Sequence, residues 1–274
     1  MNAASHSNAP LFHGLRSFTP ATVYCAMLNQ EAERERLAAV AAEPPYRGLP
    51  KAPVLAIRPA NTLAEPDRPV RVPEGVSALE VWPCLVAVIE KPACRVPAAA
   101  ALEHVGGWSL ALDFSLPLSN WHRPAIRQKC HDGFCKLMPV MRPADSLTRF
   151  ELIPSLAHAR VVIEAEHVAK AAHSTSAVRA TATAHASAAV HTGAAVRAGT
   201  EAGQAIDDVG LATLRWHRDP ASFLAAVSQF MTLHRGDCMM FPLVDKALQV
   251  GAGQGVLLDV PSLGFWQVRL EAVQ

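Results

Sequence analysis

The sequence predicts a mostly β, α+β domain with few helices, and three observations carry that reading. From Pro53 onward, short apolar segments recur between proline- and glycine-containing turns, at residues 54–57, 85–89, 109–114, 160–164, 238–241, 256–260 and 265–270. Segments of that length, bounded by turn formers, read as strands. Only two stretches carry clear helix signals, and half of the 274 residues are hydrophobic, enough for a substantial core in one large domain or two small ones.

Taken in order, residues 1–19 are polar and patternless and read as a loose tail. Order is expected from Thr22, where the apolar run 22–28 ends at Asn29 and reads as a buried strand. Residues 30–42 are rich in Glu, Arg and Ala and predict a helix that stops before Pro44 and Pro45, because proline cannot continue the hydrogen-bonded ladder. The second helix starts at Asp219-Pro220, an amide-capping Asp followed by a first-turn Pro, and carries Phe223, Leu224, Val227, Phe230 and Met231 on one face. Gly236 is its expected terminator. Between these elements, residues 168–207 shift to Ala, Thr, Ser, Gly and His and read as a low-complexity insert whose His173, His185 and His191 share no helical spacing. The flanking stretches 20–167 and 208–274 then form one discontinuous domain.

Lys and Arg total 25 against 24 Asp and Glu, so nothing supplies the basic field that nucleic-acid or anionic-membrane binding needs. No run of about 18 uncharged apolar residues occurs, and the start of the chain lacks a basic, then apolar, export pattern. A cytoplasmic protein with reduced thiols is expected for Cys25, Cys84, Cys94, Cys130, Cys135 and Cys238. Cys130 and Cys135 flank His131 and Asp132, but a structural zinc site wants a second close pair, which does not follow.

The densest chemistry lies between Leu112 and Cys135, where Asp113 ends an apolar strand and Arg-Pro-Ala-Ile-Arg-Gln-Lys-Cys-His-Asp-Gly-Phe-Cys runs from Arg123. Together with Pro45-Tyr-Arg-Gly-Leu-Pro-Lys-Ala-Pro-Val-Leu-Ala-Ile-Arg-Pro-Ala-Asn-Thr62 and Phe230-Met-Thr-Leu-His-Arg-Gly-Asp237, this segment resembles the fumarylacetoacetate hydrolase superfamily, and within it the isomerase/decarboxylase branch of homoprotocatechuate (4-hydroxyphenylacetate) breakdown, most closely the N-terminal half of its enzymes. The resemblance implies that family's C-terminal-domain fold, a mixed β-sandwich or roll. It also implies diacid substrates bearing a 2-oxo or 2-hydroxydienoate group, and a divalent Mg or Mn that stabilises an enolate as a Lewis acid.

By that resemblance Asp113 falls on a metal-ligand position, and Lys129 and Asp132 match a Lys-x-x-Asp in which the lysine neutralises an oxyanion and the aspartate orients the lysine or its loop. Arg123 and Arg127 are candidates to clamp substrate carboxylates, or are solvated turn residues. Trp121 and His122 precede them, the histidine reading as structural. The family's Glu-x-Glu ligand pair falls on Trp82 and Cys84, and neither is a carboxylate. Glu80 shares the strand parity of Trp82 and substitutes only if the register differs. The family's Asn-Tyr-x-x-His stands here as Asn29-Gln-Glu-Ala-Glu33, the arginine that often follows the Asp becomes Pro117, and a Thr-Gly-Thr-Pro loop becomes Phe241-Pro-Leu-Val244.

Three readings follow: an isomerase/decarboxylase subunit with a degenerate metal site, a non-catalytic scaffold pairing with a metal-competent paralogue, or a dicarboxylate-binding domain. A small dicarboxylate is the expected small-molecule partner. A homo- or hetero-oligomer is expected, with neither nucleic acid nor membrane as partner.

Overall fold

The computed structural model describes residues 15–118, 123–146, 156, 159–164, 205–210 and 215–273. In chain order the strands are β1 (Arg16–Ser17), β2 (Val23–Met27), β3 (Val54–Arg58), β4 (Leu63–Ala64), β5 (Val70–Val72), β6 (Leu79–Ile89), β7 (Val105–Ser115), β8 (Cys135–Leu137), β9 (Val140–Pro143), β10 (Arg160–Glu164), β11 (Ala205–Gly210), β12 (Cys238–Pro242), β13 (Leu248–Val250), β14 (Gly255–Val260) and β15 (Gly264–Ala272). The helices are α1 (Glu31–Ala38), α2 (Ala98–Ala101), α3 (Ile126–Lys129) and α4 (Pro220–Ser228). The expected strands form, and the mostly β class holds.

Two strands run further than their apolar segments. Sequence reading starts one at Leu85, after Pro83, whereas β6 begins at Leu79. Pro83 is tolerated there because the strand changes partner around it: Cys84 and the residues after it pair with β12, and Val81 and those before it with β13. β7 starts at Val105 because Gly107 lets β9 approach, since a Cβ at that position would lie 2.7 Å from the Arg142 carbonyl oxygen.

Both helices are shorter than their sequence signals. α1 ends at Ala38 and buries Leu37 against Leu28 and Ala41. α4 starts as expected, with the Asp219 carboxylate accepting from the Ser222 amide at 2.8 Å. It stops at Ser228, well before Gly236, and leaves Phe230 62% exposed. Leu233 is drawn instead into a backbone bridge with Ala93, at 2.9 and 3.0 Å. Gly236, at φ +88°, then turns the chain into β12 while the Asp237 carboxylate accepts from the amides of His234 and Thr22.

The larger sheet runs β1-β9-β7-β6-β12-β2-β3, with β13 on β6 and with β8 joining β4 to β7. A 3-10 turn at Ala60–Thr62 links β3 directly to β4, so the sheet curls until its two ends nearly meet through β4 and β8. That roll has an inner face made mostly of small side chains, among them Cys25, Cys84, Val86, Ala111 and Cys135. Small residues suit a narrow interior. Its outer face carries Val81, Leu85, Leu110, Leu112 and Phe114 into the main core, which includes apolar residues of α4 and of the second sheet, β11-β10-β14-β15-β5.

β11 begins at Ala205, so strand pairing reaches back into the stretch read as an insert. The three histidines of that stretch, and Trp121 and His122, lie outside the described residues. Among the described residues no helix is long and apolar enough to cross a membrane.

Candidate functional site

The site sits on the inner face of the roll, toward one end. β6 and β7 are antiparallel, with Glu80 opposite Ser115, Trp82 opposite Asp113 and Cys84 opposite Ala111. Directly paired residues share a face, so this register fixes what surrounds Asp113. On its other side β8 places Cys135 opposite Asp113. Glu80 therefore keeps the register that denies it the Trp82 position, and its carboxylate accepts from Ser115 Oγ at 3.4 Å.

Asp113 is wholly buried and is bound by two cations. Lys129 Nζ donates to Oδ2 at 2.9 Å, and the Arg58 Nη2 group donates to Oδ1. Arg58 also donates through Nη1 to the Lys129 carbonyl at 2.9 Å, fastening α3 over the cluster. Burial alone would push the Asp113 carboxyl up, but Arg58 and Lys129 outweigh it and hold it below the usual aspartate range. Burial likewise works against the Arg58 charge, but Asp113 together with the neighbouring Cys135 and Cys25 outweighs it and raises the pKa. Asp113 and Arg58 are therefore ionised in the folded chain.

The inner face beside them is rich in thiols. Cys25 Sγ lies 3.9 Å from Asp113 Oδ2, and Cys135 Sγ is 3.9 Å from Met240 Sδ. Burial raises the thiol pKa of Cys84 and of Cys135, with Asp113 adding to both, and pushes Cys238 up to about 12. These are neutral packing groups at physiological pH rather than thiolate ligands.

A divalent cation does not fit this donor set. Hard cations want several oxygen ligands, yet the positions flanking Asp113 hold an indole and a neutral thiol. Both Asp113 oxygens already accept from a cation. Among the described residues no group of three His, Cys, Asp or Glu side chains converges to hold a metal.

The remaining sequence candidates do not join the cluster. Asp132 accepts from Asn61 Nδ2 at 2.8 Å, and Asn61 also donates to the Cys130 carbonyl at 3.0 Å, so Asp132 steadies the loop after Lys129 and not the ammonium itself. Arg123 and Arg127 are exposed. Glu33 is buried on α1. Glu90, at the end of β6, meets Arg16 and, at 3.1 Å, Arg235 on the surface. Arg58 is the residue that sequence reasoning passed over. Its signal was available: residues 54, 56 and 58 share one face of a short strand, and an arginine on that face calls for a buried counter-ion.

Comparison with known proteins agrees with this architecture. The fumarylacetoacetate (FAA) hydrolase C-terminal family model matches residues 22–241. The 4-hydroxyphenylacetate degradation bifunctional isomerase/decarboxylase of Salmonella dublin is 35% identical over 129 residues, 46% of this chain and 30% of that protein. Its Escherichia coli counterpart is 33% identical over 116 residues, 42% of this chain and 27% of that protein. The chain thus spans less than a third of the length of these curated relatives. Among solved structures, fumarylpyruvate hydrolase from Pseudomonas aeruginosa, in complex with Mn2+ and pyruvate, aligns with a TM-score of 0.60 at 20% identity, covering 94% of this chain and 92% of that one. 5-carboxymethyl-2-hydroxymuconate delta-isomerase from Mycobacterium smegmatis aligns at 0.59 and 20% identity, covering 95% of this chain and 82% of that one. With its family model matched across residues 22–241, the chain belongs to the fumarylacetoacetate hydrolase family.

Proposed function

We propose that the chain is a subunit of an isomerase/decarboxylase of aromatic-acid catabolism, acting on diacids with a 2-oxo or 2-hydroxydienoate group. Its own metal site is degenerate, and it works as a scaffold beside a metal-competent paralogue that carries Glu-x-Glu, the following Asp and the His lacking here. The relatives that share about a third of its residues over the matched segment are bifunctional isomerase/decarboxylases of 4-hydroxyphenylacetate breakdown, which supports the pathway. The observation that carries the scaffold role is the ion cluster itself. Asp113, the one family ligand retained, is taken up by Arg58 and Lys129, while Trp82 and Cys84 stand where its companions would be.

The test is to purify the chain alone and after co-expression with a family member that carries the intact Glu-x-Glu, Asp and His set. Size analysis is expected to give a hetero-oligomer, with metal content and loss of 5-carboxymethyl-2-oxo-hex-3-ene-1,7-dioate tracking the paralogue. Turnover by the chain alone, stimulated by Mg or Mn, would refute the scaffold role. Failure to associate with the paralogue would remove its support.

A further inference from the structure

We propose that β3 is the contact strand of a two-fold dimer, pairing edge to edge and antiparallel with β3 of a second copy of this chain. This contact does not depend on the scaffold role.

β3 ends the larger sheet and is paired on one side only, antiparallel to β2. A strand in that position points about half of its amides and carbonyls away from its neighbour. Among the described residues, the backbone of 54–58 has no partner beyond β2. Soluble proteins protect such edges by keeping them short or charged, and the other three sheet ends here follow that rule. β1 has only two residues, one of them the exposed Arg16; β5 has three, with Arg71 exposed at its centre; β11 carries Asp207 and Asp208. β3 has five residues, and its one charge, Arg58, is turned inward to Asp113. Its edge is left bare.

The strand complements itself. Leu55 and Ile57 share a face, so a two-fold axis through Ala56 sets Leu55 of each copy opposite Ile57 of the other, and no like charges meet. Exposed apolar surface also gathers at this edge. Among the described residues six large hydrophobic side chains are exposed, and four of them, Val40, Leu49, Ile57 and Ile126, lie on β3 or beside its ends. Val54 packs with Ala41 and Tyr46, which brings the 40–49 stretch to the start of β3. At the other end Arg58 Nη1 donates to the Lys129 carbonyl, which brings α3 and its Ile126 alongside. These flanks widen the contact beyond one strand, as a stable interface of roughly 800 Å² per partner requires. Two-fold symmetry then buries each of these side chains twice.

Sedimentation equilibrium on the full chain tests this, with Ile57→Lys and Phe230→Lys as variants. Ile57 is 59% exposed and Phe230, which follows α4, is 62% exposed, so neither change disturbs a packed core. The expected result is a dimer whose dissociation constant rises about tenfold or more in Ile57→Lys and is unchanged in Phe230→Lys. A monomer throughout the micromolar range, or a dimer that Ile57→Lys leaves intact, overturns the proposal. If Ile57→Lys does not fold, amide hydrogen exchange on the unaltered chain decides. Exchange at Leu55 to Ile57 that slows as protein concentration rises supports the pairing, and exchange independent of concentration overturns it. Failure to associate with a metal-competent family member removes the scaffold role alone, because self-association is measured without that partner.

Discussion

Replacing Asp113 with Asn removes one charge and almost no volume, yet it leaves Arg58 and Lys129 buried together without a counter-ion. Breaking a buried pair by deleting one partner typically costs about 3–5 kcal/mol. Here the deleted group serves two cations, so the upper part of that range is expected. Such a loss is a large share of the roughly 5–15 kcal/mol that holds most domains folded. Urea unfolding followed by circular dichroism measures it, with the midpoint falling and the slope unchanged. Adding Arg58→Met to Asp113→Asn removes one stranded cation, and the double variant should recover about 1–3 kcal/mol relative to the sum of the single changes. The reasoning is refuted if Asp113→Asn shifts stability by less than about 1 kcal/mol or stabilises the chain. Stabilisation is the signature of a carboxylate held for a metal, since removing it relieves repulsion in the metal-free protein.

The same cluster sets an acid limit. The folded pKa of Asp113 lies below its ordinary value, so its contribution is complete above about pH 4 and is lost as pH falls toward the folded value. Acid titration should show that loss in the unaltered chain and not in Asp113→Asn. Lys136 gives a pH dependence of the same sign in the alkaline range, but its charged form costs stability at neutral pH. Buried, and donating to the Glu65 carbonyl at 2.9 Å, it has a pKa lowered to about 8, chiefly by burial. Its unfolded form holds its proton up to about pH 10.4, so stability attributable to this residue rises between those values; Lys136→Met should add about 1–2 kcal/mol at neutral pH and abolish the rise in alkaline denaturation curves. At α4, Asp219→Ala removes the acceptor of the Ser222 amide and should lower stability by about 1 kcal/mol in thermal unfolding.

Much of the fold was legible because β periodicity is local. The segments at 54–57, 109–114 and 256–260 needed only their apolar residues and bounding turns. What escaped depends on partners. Pro83 reads as a strand breaker until β12 and β13 are known to meet β6 on either side of it. The end of α4 is set by the bridge from Leu233 to Ala93, 140 residues away in sequence, and not by the glycine that looks like its terminator. At the ion cluster, Asp113 and Lys129 lie in the one segment that the sequence marked out, and the register puts Trp82 opposite Asp113. Arg58 was not legible, because β3 reaches Asp113 only through the curl of a sheet in which β6, β12 and β2 lie between their strands.

The proposed function requires that Arg58 and Lys129, and no metal, neutralise Asp113. Mn2+ titration followed by electron paramagnetic resonance tests it most directly, comparing the unaltered chain with Asp113→Asn. The account predicts that the free-Mn2+ signal grows in step with added metal, identically for both. Stoichiometric uptake of Mn2+ by the unaltered chain, abolished by Asp113→Asn, would contradict it.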